Sequence, residues 1–192
     1  DHYRQSPESL KKHVMARRRA GIDDFISEQE IEGVYEEVFK DIDIFQNDIN
    51  LLKNRFVSPL SSFATSFYKY YIVDTLLIDN TPCIDLFFTP FNAESMGFNG
   101  HMYITPDSTH FIKRVKMSTP NDINLNFIRS LNINLHYTPS ADGTPLLDKE
   151  QLIAEFEIAG DFSGVYVKRE VSYNSYLLDQ PDDTSIFDHP ES

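Results

Sequence analysis

Ser66-Phe67-Tyr68-Lys69-Tyr70-Tyr71-Ile72-Val73-Asp74-Thr75-Leu76-Leu77 runs through Ile78-Asp79-Asn80-Thr81-Pro82 into Cys83-Ile84-Asp85-Leu86-Phe87-Phe88-Thr89. The outer segments are dense in Tyr, Phe, Ile and Val, whose side chains suit a pleated surface. The middle segment holds turn formers, so the whole reads as a β-hairpin. The chain beyond it continues in the same manner. Gly97-Phe98-Asn99-Gly100 introduces a strand over His101–Thr105, and Pro106-Asp107-Ser108 turns into Thr109–Met117. Leu131–Tyr137 leads to the turn Pro139-Ser140-Ala141-Asp142-Gly143, and Gln151–Ile158 and Val165–Tyr176 close the series. About seven strands with short connections predict neighbours that pair antiparallel in a meander.

Alternation assigns the faces. In Phe111–Met117, Phe111, Val115 and Met117 share a face with Lys113, while Ile112 falls with Arg114 and Lys116. In Ala154–Ile158 the acids Glu155 and Glu157 take one face and the apolar residues the other. In Val165–Val171 the odd positions are mostly apolar. One packed and one partly solvated face describe an open antiparallel sheet.

The chain before Arg55 reads as helical. Ser6-Pro7-Glu8-Ser9 resembles a helix start, with Pro at the first helical position and a stop at Ala20-Gly21. Ser27-Glu28-Gln29-Glu30 has the spacing of a capping box, followed by Ile31, Val34, Tyr35 and Val38 at helical intervals. Asp41–Asn54 fits a short helix or an apolar loop over a sheet. The predicted fold is therefore α+β: a curved, half-barrel-like antiparallel sheet with N-terminal helices packed on one face. Its expected parts are a helical segment over 1–55, a sheet domain over 56–178 and an acidic disordered tail over 179–192.

The 192 residues carry 17 Lys and Arg against 30 Asp and Glu, a net charge of −13. Nucleic acid and anionic membrane surfaces would be repelled as broad partners. Hydrophobic residues make up 41%, enough for a packed core. No apolar run reaches the ~18 residues of a membrane-spanning helix, and no signal peptide opens the chain. Asp1 stands where Met would, which suggests a processed or excised chain. Charge is uneven: Arg4, Lys11, Lys12, Arg17, Arg18 and Arg19 crowd the start, and ten acids follow over residues 20–54. The basic cluster reads as a solvated face, or as a docking patch for a phosphate or lipid headgroup.

Chemistry-bearing residues are sparse. Cys83 is the single cysteine, so no disulfide or Cys-based zinc site forms within the chain, and its strand setting reads as a buried small hydrophobe. His101 and His110 fall on one hairpin, with His101 opposite about Arg114, too far apart to share a metal. Asp107, Asp122 and Asp142 read as turn residues that bond their own backbone. Glu155 and Glu157 point the same way and could serve as an acid–base pair, or simply face solvent. No phosphate-binding glycine loop or nucleophile motif is present. Catalytic residues, metal sites and cofactors are therefore not expected. Aromatic residues crowd the first four strands and could form a core or an apolar concave face; Phe67, Tyr71 and Phe87 are the candidate lining residues for a ligand or partner.

Several segments also carry a family resemblance. They are Asp48–Leu52, Phe56-Val57-Ser58-Pro59, Phe67–Thr75, Ile78-Asp79, Cys83, Phe98-Asn99-Gly100 with the strand at Tyr103, Phe111–Val115, Asn126-Phe127-Ile128 and Asn132-Ile133. Over residues 45–176 the chain resembles a family of uncharacterised outer-membrane proteins from Bacteroidota. Those proteins place a carboxypeptidase-regulatory-like domain at the N-terminus and a membrane β-barrel at the C-terminus. The resemblance implies an exported, outer-membrane-associated chain and a binding or assembly role, with a protein partner or the adjoining β-barrel. It implies no catalytic residue. It also implies further strand and helix sequence before the region matching Asp1, and a missing strand would leave an open edge that favours a homodimer. The Gly-strand-turn-Phe-Ile-Lys-Arg-Val pattern has a shorter similarity to lipoprotein-carrier half-barrels, which implies a lipid or lipoprotein ligand on the aromatic face as the alternative.

Overall fold

A computed structural model describes residues 2–5, 10–13, 38, 40–121, 123, 125, 128–157, 164–173 and 176. The chain divides into two units, Asp1–Glu30 with Ser175–Ser192, and Ile31–Asn174. In the first, β1 (His2–Gln5) pairs antiparallel with β2 (Leu10–His13), His2 opposite His13. The helix expected over 6–19 is thus corrected at residues 10–13, which are strand. Ser and Pro, which resemble a helix start there, are turn formers as well. The rest of that helix, most of the one expected after Ser27, and most of the tail lie outside the described residues.

The second unit contains β3 (Asp48–Leu51), β4 (Asn54–Val57), α1 (Ala64–Phe67), β5 (Tyr68–Ile78), β6 (Thr81–Pro90) and β7 (Asn99–Ile104). It continues with β8 (Ile112–Ser118), β9 (Ile128–Pro139), β10 (Pro145–Glu157) and β11 (Gly164–Ser172). Strands β5 to β11 form a seven-stranded antiparallel sheet in sequence order, as the strand spacing predicts. Among the described residues it is not closed, and β5 and β11 are its edges. The β5–β6 turn rests on Asp79 and Asn80, at φ 48° and 61°. Positive φ at both central residues matches the twist of a two-residue hairpin, and after Gly it is Asn and Asp that tolerate it best. Register shifts interrupt the pairings at Ile72/Asp74, Tyr103/Ile104, Leu147/Lys149 and Glu155/Phe156. Such bulges bend strands and increase twist.

Among the described residues the cover of the core face is mostly hairpin and loop rather than helix. Residues 40–57 contain the β3–β4 hairpin, and Ile42, Ile44, Ile49, Leu51, Leu52 and Phe56 pack into one cluster with sheet residues such as Phe88, Met102, Val115, Leu135 and Leu152. The reason is visible in Asp41-Ile42-Asp43-Ile44 and Asp48-Ile49-Asn50-Leu51, where apolar residues recur at period two and not at helical spacing. Hydrogen bonds fasten this layer. The Tyr68 hydroxyl donates to the Val57 carbonyl at 2.6 Å and accepts from the Phe98 N–H at 3.1 Å. The Tyr70 hydroxyl donates to the Pro59 carbonyl at 2.8 Å, and Ser58 Oγ donates to the Ile44 carbonyl. Burial pushes both phenols up, Tyr70 to about 12, so neither ionises at neutral pH. At the far side Arg169 pairs with Glu150 inside the core and donates to the carbonyls of Val38 at 2.8 Å and Lys40 at 2.7 Å.

One face expectation changes. Ile112 lies opposite Ile104, and Arg114 lies opposite Tyr103, which leaves Lys113 as the extra residue of a bulge. Ile112 therefore joins Val115 and Met117 in the core rather than Arg114 and Lys116 outside.

Candidate functional site

The face away from the core is built by register. A single row crosses all seven strands: Tyr71, Phe87, His101, Lys116, Asn134, Gln151 and Glu170 lie successively opposite one another. Beside it runs Asp85, Tyr103, Arg114, His136 and Lys149. On its other side runs Asn99, Ser118 and Asn132. In β9 the sequence Leu131-Asn132-Ile133-Asn134-Leu135-His136 sends every second residue here and its apolar neighbours into the core.

A groove of about 370 Å³ lies across β7 to β10, with Phe87, Asn99, His101, Lys116, Asn132, Asn134 and Gln151 among its lining residues. His101 Nδ1 meets Asp85 Oδ1 at 2.7 Å. An imidazole that donates from Nδ1 to a carboxylate keeps its ring fixed and leaves Nε2 as the second polar atom. The ring also packs on Phe87 (5.1 Å between centroids) and stacks on Tyr103 (6.3 Å, 15°). Burial and the Asp85 carboxylate both raise the Tyr103 phenol. Asn99 Oδ1 accepts from Thr89 Oγ1 at 2.7 Å, and Gln151 Nε2 donates to Glu170 at 2.7 Å. Asn134 Oδ1 is buried and accepts no hydrogen bond.

The neighbouring end is closed by the β5–β6 turn. Lys113 Nζ donates to Thr81 Oγ1 at 3.0 Å and to the Ile78 carbonyl at 3.4 Å. Burial, then the Arg114 charge, lowers the pKa of His136, against a weaker opposite pull from Asp79.

Of the three residues expected to line an apolar face, Tyr71 and Phe87 come together, stacked at 6.3 Å and 30°. Phe67 does not join them. It belongs to α1, packs against the core and sits 4.8 Å from the Tyr68 ring. Cys83 is buried, and that burial raises its thiol pKa. His101 lies opposite Lys116 rather than Arg114, because the turn extends to Phe111, whose carbonyl accepts from Thr105 N–H, and Lys113 is bulged out. Asp107 and Asp142 accept backbone N–H groups of Thr109 and Thr144, as turn residues do; the hydroxyls of Thr109 and Ser140, and then these backbone bonds, lower the two carboxyls, Asp142 to about 2. Glu155 accepts from Ser130 at 3.3 Å and Tyr166 at 3.0 Å and pairs with Arg129, so it is held as an acceptor within the sheet. The side chains of Glu157, Asp122 and the basic cluster of residues 11–19 lie outside the described residues. Among the described residues no group of three or more His, Cys, Asp or Glu could hold a metal ion.

Sequence reasoning misses the amides. They are spread over three strands, and only register gathers them; the alternation in β9 is the available signal. A second feature is the edge strand β5, where Tyr71, Ile72, Val73 and Leu77 are 51%, 74%, 57% and 66% exposed.

Residues 1–174 match a family of unknown function, DUF5686, and the chain belongs to that family. No curated protein and no solved structure matches it.

Proposed function

We propose that this member of the DUF5686 family is a non-enzymatic binding and assembly module of an outer-membrane protein in the cell envelope, and that it assembles through the open edge of β5. The observation that carries the reading is the exposure of Ile72, Val73 and Leu77 on an eleven-residue edge strand. A long apolar edge is a template for a further strand, and proteins normally blunt such edges with charge, Pro or a covering element. Here Asp74 is the one charge between Tyr70 and Ile78. Strand addition would satisfy the outer backbone groups of β5, which pair with no strand among the described residues, and bury these side chains together. The resemblance of Phe67-Tyr68-Lys69-Tyr70-Tyr71 to the region before the membrane barrel of Bacteroidota proteins, which also carry a carboxypeptidase-regulatory-like domain, supports a β-barrel strand as the partner. The lipid-carrier alternative calls for an open apolar cavity, and the apolar face is filled by Ile42, Ile44, Leu51 and Phe56.

Site-specific photocrosslinking in cells that make the protein tests this. A photoreactive residue at position 72 or 77 should crosslink to a β-barrel polypeptide of the outer-membrane fraction, and one at position 132 should not. The paired change Ile72→Lys and Leu77→Lys should abolish association with the barrel and leave thermal stability nearly unchanged, since both positions are exposed. Recovery of the chain outside the envelope fraction, or crosslinks only to a second copy of itself, overturns the proposal.

A further inference from the structure

We infer that the groove across β7 to β10 is a binding site for an acidic sugar, a pyranose unit that carries a carboxylate. The inference concerns a different face from the β5 edge and stands without it. Its first support is the state of the polar atoms. Ser118, Asn132 and Asn134 have side chains that make no hydrogen bond among the described residues, and Asn134 Oδ1 is buried as well. An unmatched buried acceptor costs about 1–3 kcal/mol, which a ligand hydroxyl would recover. Side-chain amides present a donor and an acceptor side by side, the pattern that two neighbouring hydroxyls of a sugar ring match.

The second support is charge. The chain as a whole is strongly acidic, at −13. Yet the acids beside the groove are already engaged, Asp85 with His101 at 2.7 Å and Glu170 with Lys168 at 3.0 Å. Lys116 stands in the row between His101 and Asn134 and makes no ion pair among the described residues. The one uncompensated charge in the lining is therefore a cation, held amid neutral hydrogen-bonding groups. The third support is Phe87, the aromatic side chain of the lining, whose ring offers an apolar wall for the C–H face of a pyranose. A volume of about 370 Å³ falls at the small end of ligand pockets, suited to one or two sugar units.

Calorimetric titration of the full chain with galacturonate, glucuronate and mannuronate trisaccharides tests the inference, with maltotriose, inorganic phosphate and phosphatidylglycerol vesicles as comparison probes. At least one acidic trisaccharide should bind saturably, and maltotriose about tenfold more weakly, the worth of one hydrogen-bonded charge. Lys116→Ala should weaken the acidic trisaccharide by about tenfold and leave maltotriose unchanged. Asn132→Ala should weaken both. Lys116 and Asn132 are exposed, so both variants should fold. No saturable binding by any acidic trisaccharide, or no effect of Lys116→Ala, overturns the inference. So does phosphate binding as tight as the best sugar, which marks a bare anion site, or Lys116-dependent vesicle binding, which marks a lipid headgroup site.

Discussion

The two faces of the sheet handle polar groups in opposite ways. On the core face polar side chains reach across to the layer that covers it, although Glu150 Oε2 is buried there without a hydrogen bond. Tyr68 bridges Val57 and Phe98, Tyr70 reaches Pro59, and Arg169 joins Glu150 to the carbonyls of Val38 and Lys40. On the outer face Asn134 Oδ1 is buried without a partner among the described residues, in a groove it shares with exposed Lys116 and Asn132. Groups that hold a fold together are normally satisfied inside it, because each unmatched one subtracts from stability. Open polar groups gathered on one rigid face are better explained by what they receive than by what they stabilise.

The sharpest way to break the contrast is to empty one partner of the buried pair. Glu150→Ala leaves the Arg169 charge in the core and should cost about 3–5 kcal/mol, read as a lower urea midpoint. Glu150→Leu with Arg169→Met should recover most of that loss, since an apolar pair of similar volume is often neutral. Next in size is Tyr68→Phe, which leaves the Phe98 N–H and the Val57 carbonyl without their partner. It should cost about 1–3 kcal/mol, again by urea denaturation, although the ring packing is kept.

The smallest effect belongs to the outer face and shows in its pH dependence. His136 has its pKa lowered in the folded chain from the ordinary 6.5, chiefly by burial and then by Arg114. The unfolded chain therefore takes up this proton first as pH falls. Stability from this residue is intact above 6.5, declines as pH drops from 6.5 to the lowered folded value, and is level below it. His136→Gln should remove that decline. Urea midpoints of the two proteins from about pH 8 to about pH 5 should run parallel at the upper end and diverge at the lower, with the parent falling faster.

The same contrast explains what can be read in advance. The seven-strand meander is legible because strand-forming runs and turn residues alternate at short intervals from Tyr68 to Ser172. The cover is not, because Leu52 and Lys53 turn the β3–β4 hairpin at positive φ without Gly or Asn to announce it. The side of Ile112 is hidden because a bulge at Lys113 breaks alternation and has no composition signal. The pairing of Tyr71 with Phe87 is legible from one hairpin, whereas Phe67 sits in α1, before the strand and its face begin. The groove is the least legible part, since Asn99, Lys116, Asn134 and Gln151 meet only through three successive registers.

The clasp between Arg169 and Val38 joins groups 131 residues apart. A chain that emerges N-terminus first delivers β10 before β11, so Glu150 appears ahead of the guanidinium that pairs with it. Until then the sheet can zip hairpin by hairpin through short loops, which close quickly. The cover cannot seat stably, because seating would bury a lone carboxylate. Closing of the core is therefore expected to follow the arrival of β11, which makes that strand the timer of the last folding step.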